Sequence, residues 1–125
     1  MVGAPQRIVI MDDSEENLET AVALLEQAGY EVAPVSTLDA LVAAVELPVD
    51  LVLMDVDMPD AEGDQLALAL RQIRRLEAPI LLYSALDEKE LEARAQAAEV
   101  EGYLRKNADP EAILDRVRDV LAGRP

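Results

Sequence analysis

The chain has no cysteine, histidine, tryptophan or phenylalanine, and its only aromatic residues are Tyr30, Tyr83 and Tyr103. Without cysteine there is no disulfide and no thiolate nucleophile. Without histidine there is no imidazole to act as general base or to bind a transition metal. Positive charge is scarce as well: 11 lysines and arginines face 26 acids, a net charge of −15, and the only lysines are Lys89 and Lys106. A surface of that sign repels nucleic acid phosphate and anionic membrane, so the expected partners are proteins or cations, with no nucleic acid and no membrane bound directly. No apolar run approaches the ~18 residues that would span a bilayer, and the opening "MVGAPQR" lacks the apolar stretch of a secretory signal. These absences point to a cytoplasmic location.

What is present is aliphatic. About half of the 125 residues are hydrophobic, 51%, chiefly leucine, valine, alanine and isoleucine. A chain of this length buries roughly two-thirds of the surface its unfolded form exposes. One domain over 1–125 is expected, with a core from about 6 to 122.

Short apolar runs alternate with longer amphipathic ones. "RIVIM" (7–11) is followed by Ser14 as N-cap and by Leu18, Ala21, Val22 and Leu25 at helical spacing, ending at Ala28-Gly29. "EVAPVS" (31–36) precedes Thr37, a second cap. "DLVLM" (50–54) runs into a loop ending at Gly63, and Leu66, Leu70 and Ile73 mark a third helix. "PILLYS" (79–84) precedes Asp87 and a charged helix to about Ala98. "GYLRK" (102–106) precedes Asp109-Pro110, an N-cap with proline at the first helical position. Five strands alternating with five helices predict an α/β fold: a doubly wound, five-stranded parallel sheet between two helical layers.

In such sheets ligands bind beyond the carboxyl ends of the strands. The polar residues there are Asp12 and Asp13 after the first run, Asp55 and Asp57 after the third, Ser84 and Ala85 after the fourth, and Lys106 after the fifth. Two carboxylates about 4 Å apart repel by about 4 kcal/mol at an effective dielectric of about 20, so the cluster needs a cation. Oxygen-only donors that leave room for a phosphate oxygen favour Mg²⁺.

Taken together, "MDDS", "DVDMPDAEG", "YSA" and "GYLRK", in this order at successive strand ends, resemble the receiver domain of two-component response regulators over essentially the whole chain. The resemblance implies a flavodoxin-like (βα)5 fold with strand order 2-1-3-4-5. It implies that Asp55 is the phosphoacceptor, that Asp12, Asp13 and Asp55 hold Mg²⁺, and that Asp57 lends the ion its backbone carbonyl. Ser84 would hydrogen-bond the phosphoryl group beside the small Ala85, Lys106 would pair with its oxygens, and Tyr103 would be the switch aromatic. Pro59 and Gly63 shape the loop after the acceptor. One departure stands out: Asn107 follows Lys106 where the family usually has a proline joined by a cis bond, so either this bond is trans or the loop is strained.

The resemblance further implies a histidine kinase or histidine phosphotransfer protein as phosphate donor. A downstream protein target would read a surface on the fourth helix, fifth strand and fifth helix. Only "AGRP" follows the last helix, so output is expected through protein binding, and the chain is a signalling phosphoacceptor that catalyses only its own phosphorylation and dephosphorylation. Arg94, Arg105, Arg116, Asp115 and Asp119 fall on or near the face that receivers use for pairing; a homodimer and a solvated charged face read alike there. Two alternatives stand beside this reading. One is a phosphorylation-independent interaction module that keeps the fold, to which Asn107 points. The other is a haloacid-dehalogenase-like phosphatase, whose "DVD" motif is shared but is placed on the first strand and is not followed by proline.

Overall fold

A computed structural model describes residues 4–59 and 61–123. Five strands, β1 (Arg7–Met11), β2 (Glu31–Val35), β3 (Leu51–Asp55), β6 (Ile80–Ser84) and β7 (Gly102–Arg105), form one sheet. The order is β2-β1-β3-β6-β7, and every neighbouring pair is parallel. The predicted fold class and strand order are therefore those observed. Between β3 and the third helix, where a loop was expected, two short strands, β4 (Asp57–Met58) and β5 (Ala61–Glu62), pair antiparallel. Strands of two residues have no room for a period-2 pattern, which is why the sequence reads as loop.

Five helices cover the sheet: α1 (Glu15–Gln27), α2 (Leu38–Glu46), α3 (Gly63–Gln72), α4 (Glu88–Ala97) and α5 (Pro110–Leu121). Their starts follow cap chemistry. The side chains of Ser14, Thr37 and Asp87 accept from the backbone N–H of Asn17, Ala40 and Glu90 at 3.2, 3.1 and 2.9 Å. Asp109 occupies the cap position of α5 but its side chain accepts no capping bond, leaving Pro110 to set the helix start.

Alternation along the strands sorts the core into two layers. Val9, Val52, Met54, Ile80 and Leu82 pack toward α2, α3 and α4. Ile8, Ile10, Leu51, Leu53, Leu81 and Leu104 pack toward α1 and α5. Pro34 lies in β2, at the sheet's edge, where its missing N–H leaves no interior ladder broken. No helix of the described residues is long and apolar enough to cross a membrane.

Candidate functional site

The rows facing α1 and α5 turn polar at the carboxyl edge. On β1 the row Ile8, Ile10 continues to Asp12; on β3, Leu51 and Leu53 continue to Asp55. On β6, Leu81 is followed by Tyr83, and beyond β7 the row of Leu104 reaches Lys106. Period 2 thus delivers two acids, an aromatic ring and an ammonium to one rim. Ser84 arrives from the opposite parity as the last residue of β6. Asp12, Asp55 and Ser84, at 1%, 2% and 1% exposure, are the buried polar side chains among the described residues, and all three stand at this edge. Asp55 lies within β3, which ends one residue later than the Met54 boundary read from the sequence, and this accounts for its burial.

Lys106 joins the acids. Its Nζ donates to Asp12 Oδ2 at 2.9 Å and stands 3.1 Å from Asp55 Oδ1. The backbone N–H of Lys106 donates to the Ser84 carbonyl at 2.9 Å, which ties the residue to β6. Among the described residues there is no cis peptide bond, so the Lys106–Asn107 link is trans, and the lysine reaches both carboxylates without the family's proline.

Asp12 also accepts from the Ser14 N–H at 2.9 Å, and Asp55 Oδ1 receives the Asp57 N–H at 3.4 Å. Ser84 Oγ accepts from the Leu86 N–H at 3.1 Å. Asp13 is exposed, yet one of its oxygens and one from each of Asp12 and Asp55 lie within 4.8 Å of one another. Asp57 and Ala85 border the same cavity of about 270 Å³. The cavity wall includes two residues the sequence did not single out, Asn17 and Leu86. Neither has a motif signal, because each reaches the site only through the helix or loop that carries it.

Four predicted residues, Tyr103, Pro59, Asn107 and Gly63, stand apart from the cavity. Tyr103 turns toward α4 and its hydroxyl donates to Glu88 Oε1 at 3.0 Å; the ring packs only partly against the core. Pro59 borders a neighbouring apolar hollow with Met11, Leu38 and Met58, and Asn107 is exposed. Gly63 has a different importance: a β-carbon there would come within 1.7 Å of the Asp55 carbonyl oxygen, so only glycine permits α3 to start against β3. On the charged face, Arg94 is engaged by Asp64 of α3 at 3.4 Å and by Glu90 at 3.2 Å.

The electrostatics split the two buried acids. Burial pushes the Asp55 carboxyl up, Lys106 opposes it, and the nearby Asp12 charge adds to the rise, leaving it raised from 3.8 to about 6. Burial acts on Asp12 too, but the Ser14 N–H and Lys106 outweigh it and hold its carboxyl below the usual value. For Lys106 burial favours the neutral amine, yet hydrogen bonds and charge from Asp12 and Asp55 raise its pKa above 10.5 and keep it an ammonium. The site therefore joins a dependable anion and a dependable cation to a third group, Asp55, that titrates nearest neutrality. The donor set of three carboxylates with converging oxygens and no nitrogen or sulfur ligand fits Mg²⁺.

Comparison with known proteins decides the family. Residues 8–118 match the response regulator receiver domain. The chain belongs to that family. It is 34% identical over 125 residues to the chemotaxis protein CheY of Treponema pallidum, spanning 95% of this chain and 85% of that protein. It is 30% identical to protein PilH of Pseudomonas aeruginosa, spanning 94% and 98%. Among solved structures, the chemotaxis protein CheY4 of Vibrio cholerae superposes with a TM-score of 0.84 at 28% identity, covering 94% of this chain and 99% of that one.

Receivers take phosphate from histidine kinases, act on downstream targets and bind Mg²⁺ at an acidic pocket. In this receiver the matching pocket is the Asp12, Asp13 and Asp55 group. Membership also sets aside the haloacid-dehalogenase reading, because "DVD" here closes the central strand of a five-stranded receiver sheet and does not open a first strand.

Proposed function

We propose that this receiver accepts a phosphoryl group on Asp55 from a histidine kinase or histidine phosphotransfer protein. The observation that carries the reading is the position of Asp55: a carboxylate buried at the end of β3, in contact with Lys106 and bordering the cavity shared with Asp13, Asp57 and Ser84. In the transfer, an Asp55 oxygen attacks phosphorus, the bond from phosphorus to the donor imidazole nitrogen breaks, and that nitrogen keeps the electron pair. Asp12, Asp13, Asp55 and the Asp57 backbone carbonyl would hold Mg²⁺, which supplies neutralisation of the oxygen charge that builds on the phosphoryl group. Lys106 follows that charge from Asp55 to the phosphoryl oxygens, and the Ser84 hydroxyl donates to one of them.

The switch follows from the same contacts. Drawing Ser84 toward the phosphoryl group costs Leu86 N–H its partner at 3.1 Å and strains the segment that leads into α4. Tyr103, joined to α4 through Glu88, is positioned to respond by leaving that bond and turning inward. The output surface is then α4, β7 and α5, read by a downstream protein, with pairing of two copies as an option on that face. The reading includes a cytoplasmic location and one receiver domain over 1–125, its core about 6–122. A phosphorylation-independent module has no support from Asn107, since the trans link leaves the ammonium on both acids.

The experiment is intact-mass measurement after incubation with acetyl phosphate and Mg²⁺, beside Asp55→Asn and a metal-free control. One phosphoryl group on the wild type alone, dependent on Mg²⁺, supports the reading. No adduct on a folded wild type, with rapid quenching, overturns it in favour of the interaction module.

A further inference from the structure

Lys106 follows β7, and between β7 and β3 runs β6. The lysine must therefore reach across two strand spacings, about 10 Å, to touch Asp55, and further still to touch Asp12. What it crosses on β6 is Tyr83. Register places Tyr83 beside Asp55 on one side and beside Leu104, two residues before Lys106, on the other. The Lys106 Nζ stands 5.3 Å from the centre of the Tyr83 ring, within range of attraction to its π face. The ring itself is half-buried and anchored in the α1/α5 layer.

For packing alone, leucine would fill such a place on β6 as Leu81 does. Leucine has no face for a cation. With asparagine at 107, no proline ring fixes the backbone after the lysine. Positioning of the ammonium is left to the carboxylates and the ring. Once Asp55 carries a phosphoryl group and Mg²⁺ is bound, the carboxylates have other demands on them, while the ring is unchanged.

We propose that Tyr83 is a positioning residue for Lys106: its ring carries the ammonium across β6 and keeps it aimed at Asp55. The consequence for phosphoryl transfer rests on the function proposed above; the placement of Lys106 does not.

Two measurements test it separately. The chain has two lysines, and Lys89 is exposed, so the ε-methylene signals of ¹³C-labelled lysine give Lys106 with Lys89 as internal reference, assigned by Lys106→Met. Ring current should shift the Lys106 ε-protons upfield of those of Lys89 in the wild type and in Tyr83→Phe, and the shift should vanish in Tyr83→Leu. Phosphorylation by acetyl phosphate with Mg²⁺ should slow about threefold to tenfold in Tyr83→Leu and stay within about twofold in Tyr83→Phe. In a Lys106→Met background, Tyr83→Leu should add no further loss. An upfield Lys106 signal that survives Tyr83→Leu, or an equal loss in both backgrounds, overturns the proposal. If Tyr83→Leu does not fold, Tyr83→Met takes its place. If the wild type takes up no phosphoryl group, the function fails and the lysine spectrum alone decides the role of Tyr83.

Discussion

Gly63 and Asp55 touch through their backbones: a β-carbon at Gly63 would stand 1.7 Å from the Asp55 carbonyl oxygen and 2.9 Å from the Met54 side chain. The first residue of α3 is thereby locked against the last residue of β3, and the hairpin of β4 and β5 closes the intervening loop, with the Gly63 N–H donating to the Val56 carbonyl at 3.0 Å. The placement of the acceptor carboxylate depends on a residue with no side chain.

Gly63→Ala should therefore be costly. The obstructing atoms are backbone and cannot rotate away, so the strand end or the helix must move. The expected loss is about 2–3 kcal/mol, read as a lower urea midpoint at unchanged slope, together with slower phosphorylation.

The raised pKa of Asp55 gives a pH signature. Its carboxyl binds a proton more tightly folded, at about 6, than at the ordinary 3.8. The stability this contributes is fully present below 3.8 and is lost as pH rises through about 6, amounting to about 3 kcal/mol. Asp55→Asn removes that dependence. The variant should gain stability relative to the wild type across this window and stay ahead at pH 7.5, as followed by urea unfolding at a series of pH values without metal.

Magnesium should act in the same window with the opposite sense. A cation favours the ionised acids, so at about 100-fold excess over its dissociation constant it should add about 2.7 kcal/mol at pH 7.5. The gain should shrink toward pH 5, where Asp55 is protonated. Thermal unfolding with and without Mg²⁺ at both pH values measures it.

Lys106→Met leaves Asp12 and Asp55 buried without their shared cation. The expected cost is about 2–3 kcal/mol at neutral pH, limited because Asp55 can take up a proton. Added Mg²⁺ should recover part of that stability without restoring the wild-type rate of phosphorylation.

Arg71 provides the contrast at the other end of the sheet. Its guanidinium donates to the carbonyls of Leu76, Ala78 and Glu99 at 2.6, 2.7 and 3.1 Å and pairs with Glu101, whose carboxylate also accepts from the Ile80 N–H at 2.7 Å. Arg71→Met should cost about 3 kcal/mol by leaving these acceptors unpaired, while phosphorylation of the folded fraction stays unchanged.

The sequence carried the sheet and most of the pocket because both rest on local pattern. Alternation placed Asp12 and Asp55 at the ends of apolar rows, and Ser14, Thr37 and Asp87 began helices by their own side-chain chemistry. What it did not carry depends on contacts between distant segments. The β4 and β5 pair is too short for periodicity. Asn17 and Leu86 border the cavity through the elements that hold them. Tyr83 looks like core filler until register sets it between Asp55 and the path of Lys106. The hold on Lys106 is not legible either, because the sequence shows the missing proline but not the two acids that hold the ammonium.

The most direct test of the central claim is to reduce the phosphorylated protein with borohydride, which converts an aspartyl phosphate to homoserine, and to locate that residue by peptide mass spectrometry. Homoserine is expected at position 55 and nowhere else, only when Mg²⁺ and phosphodonor were both present. Homoserine at Asp12, Asp13 or Asp57, or its absence from a protein that had gained phosphate, would contradict it.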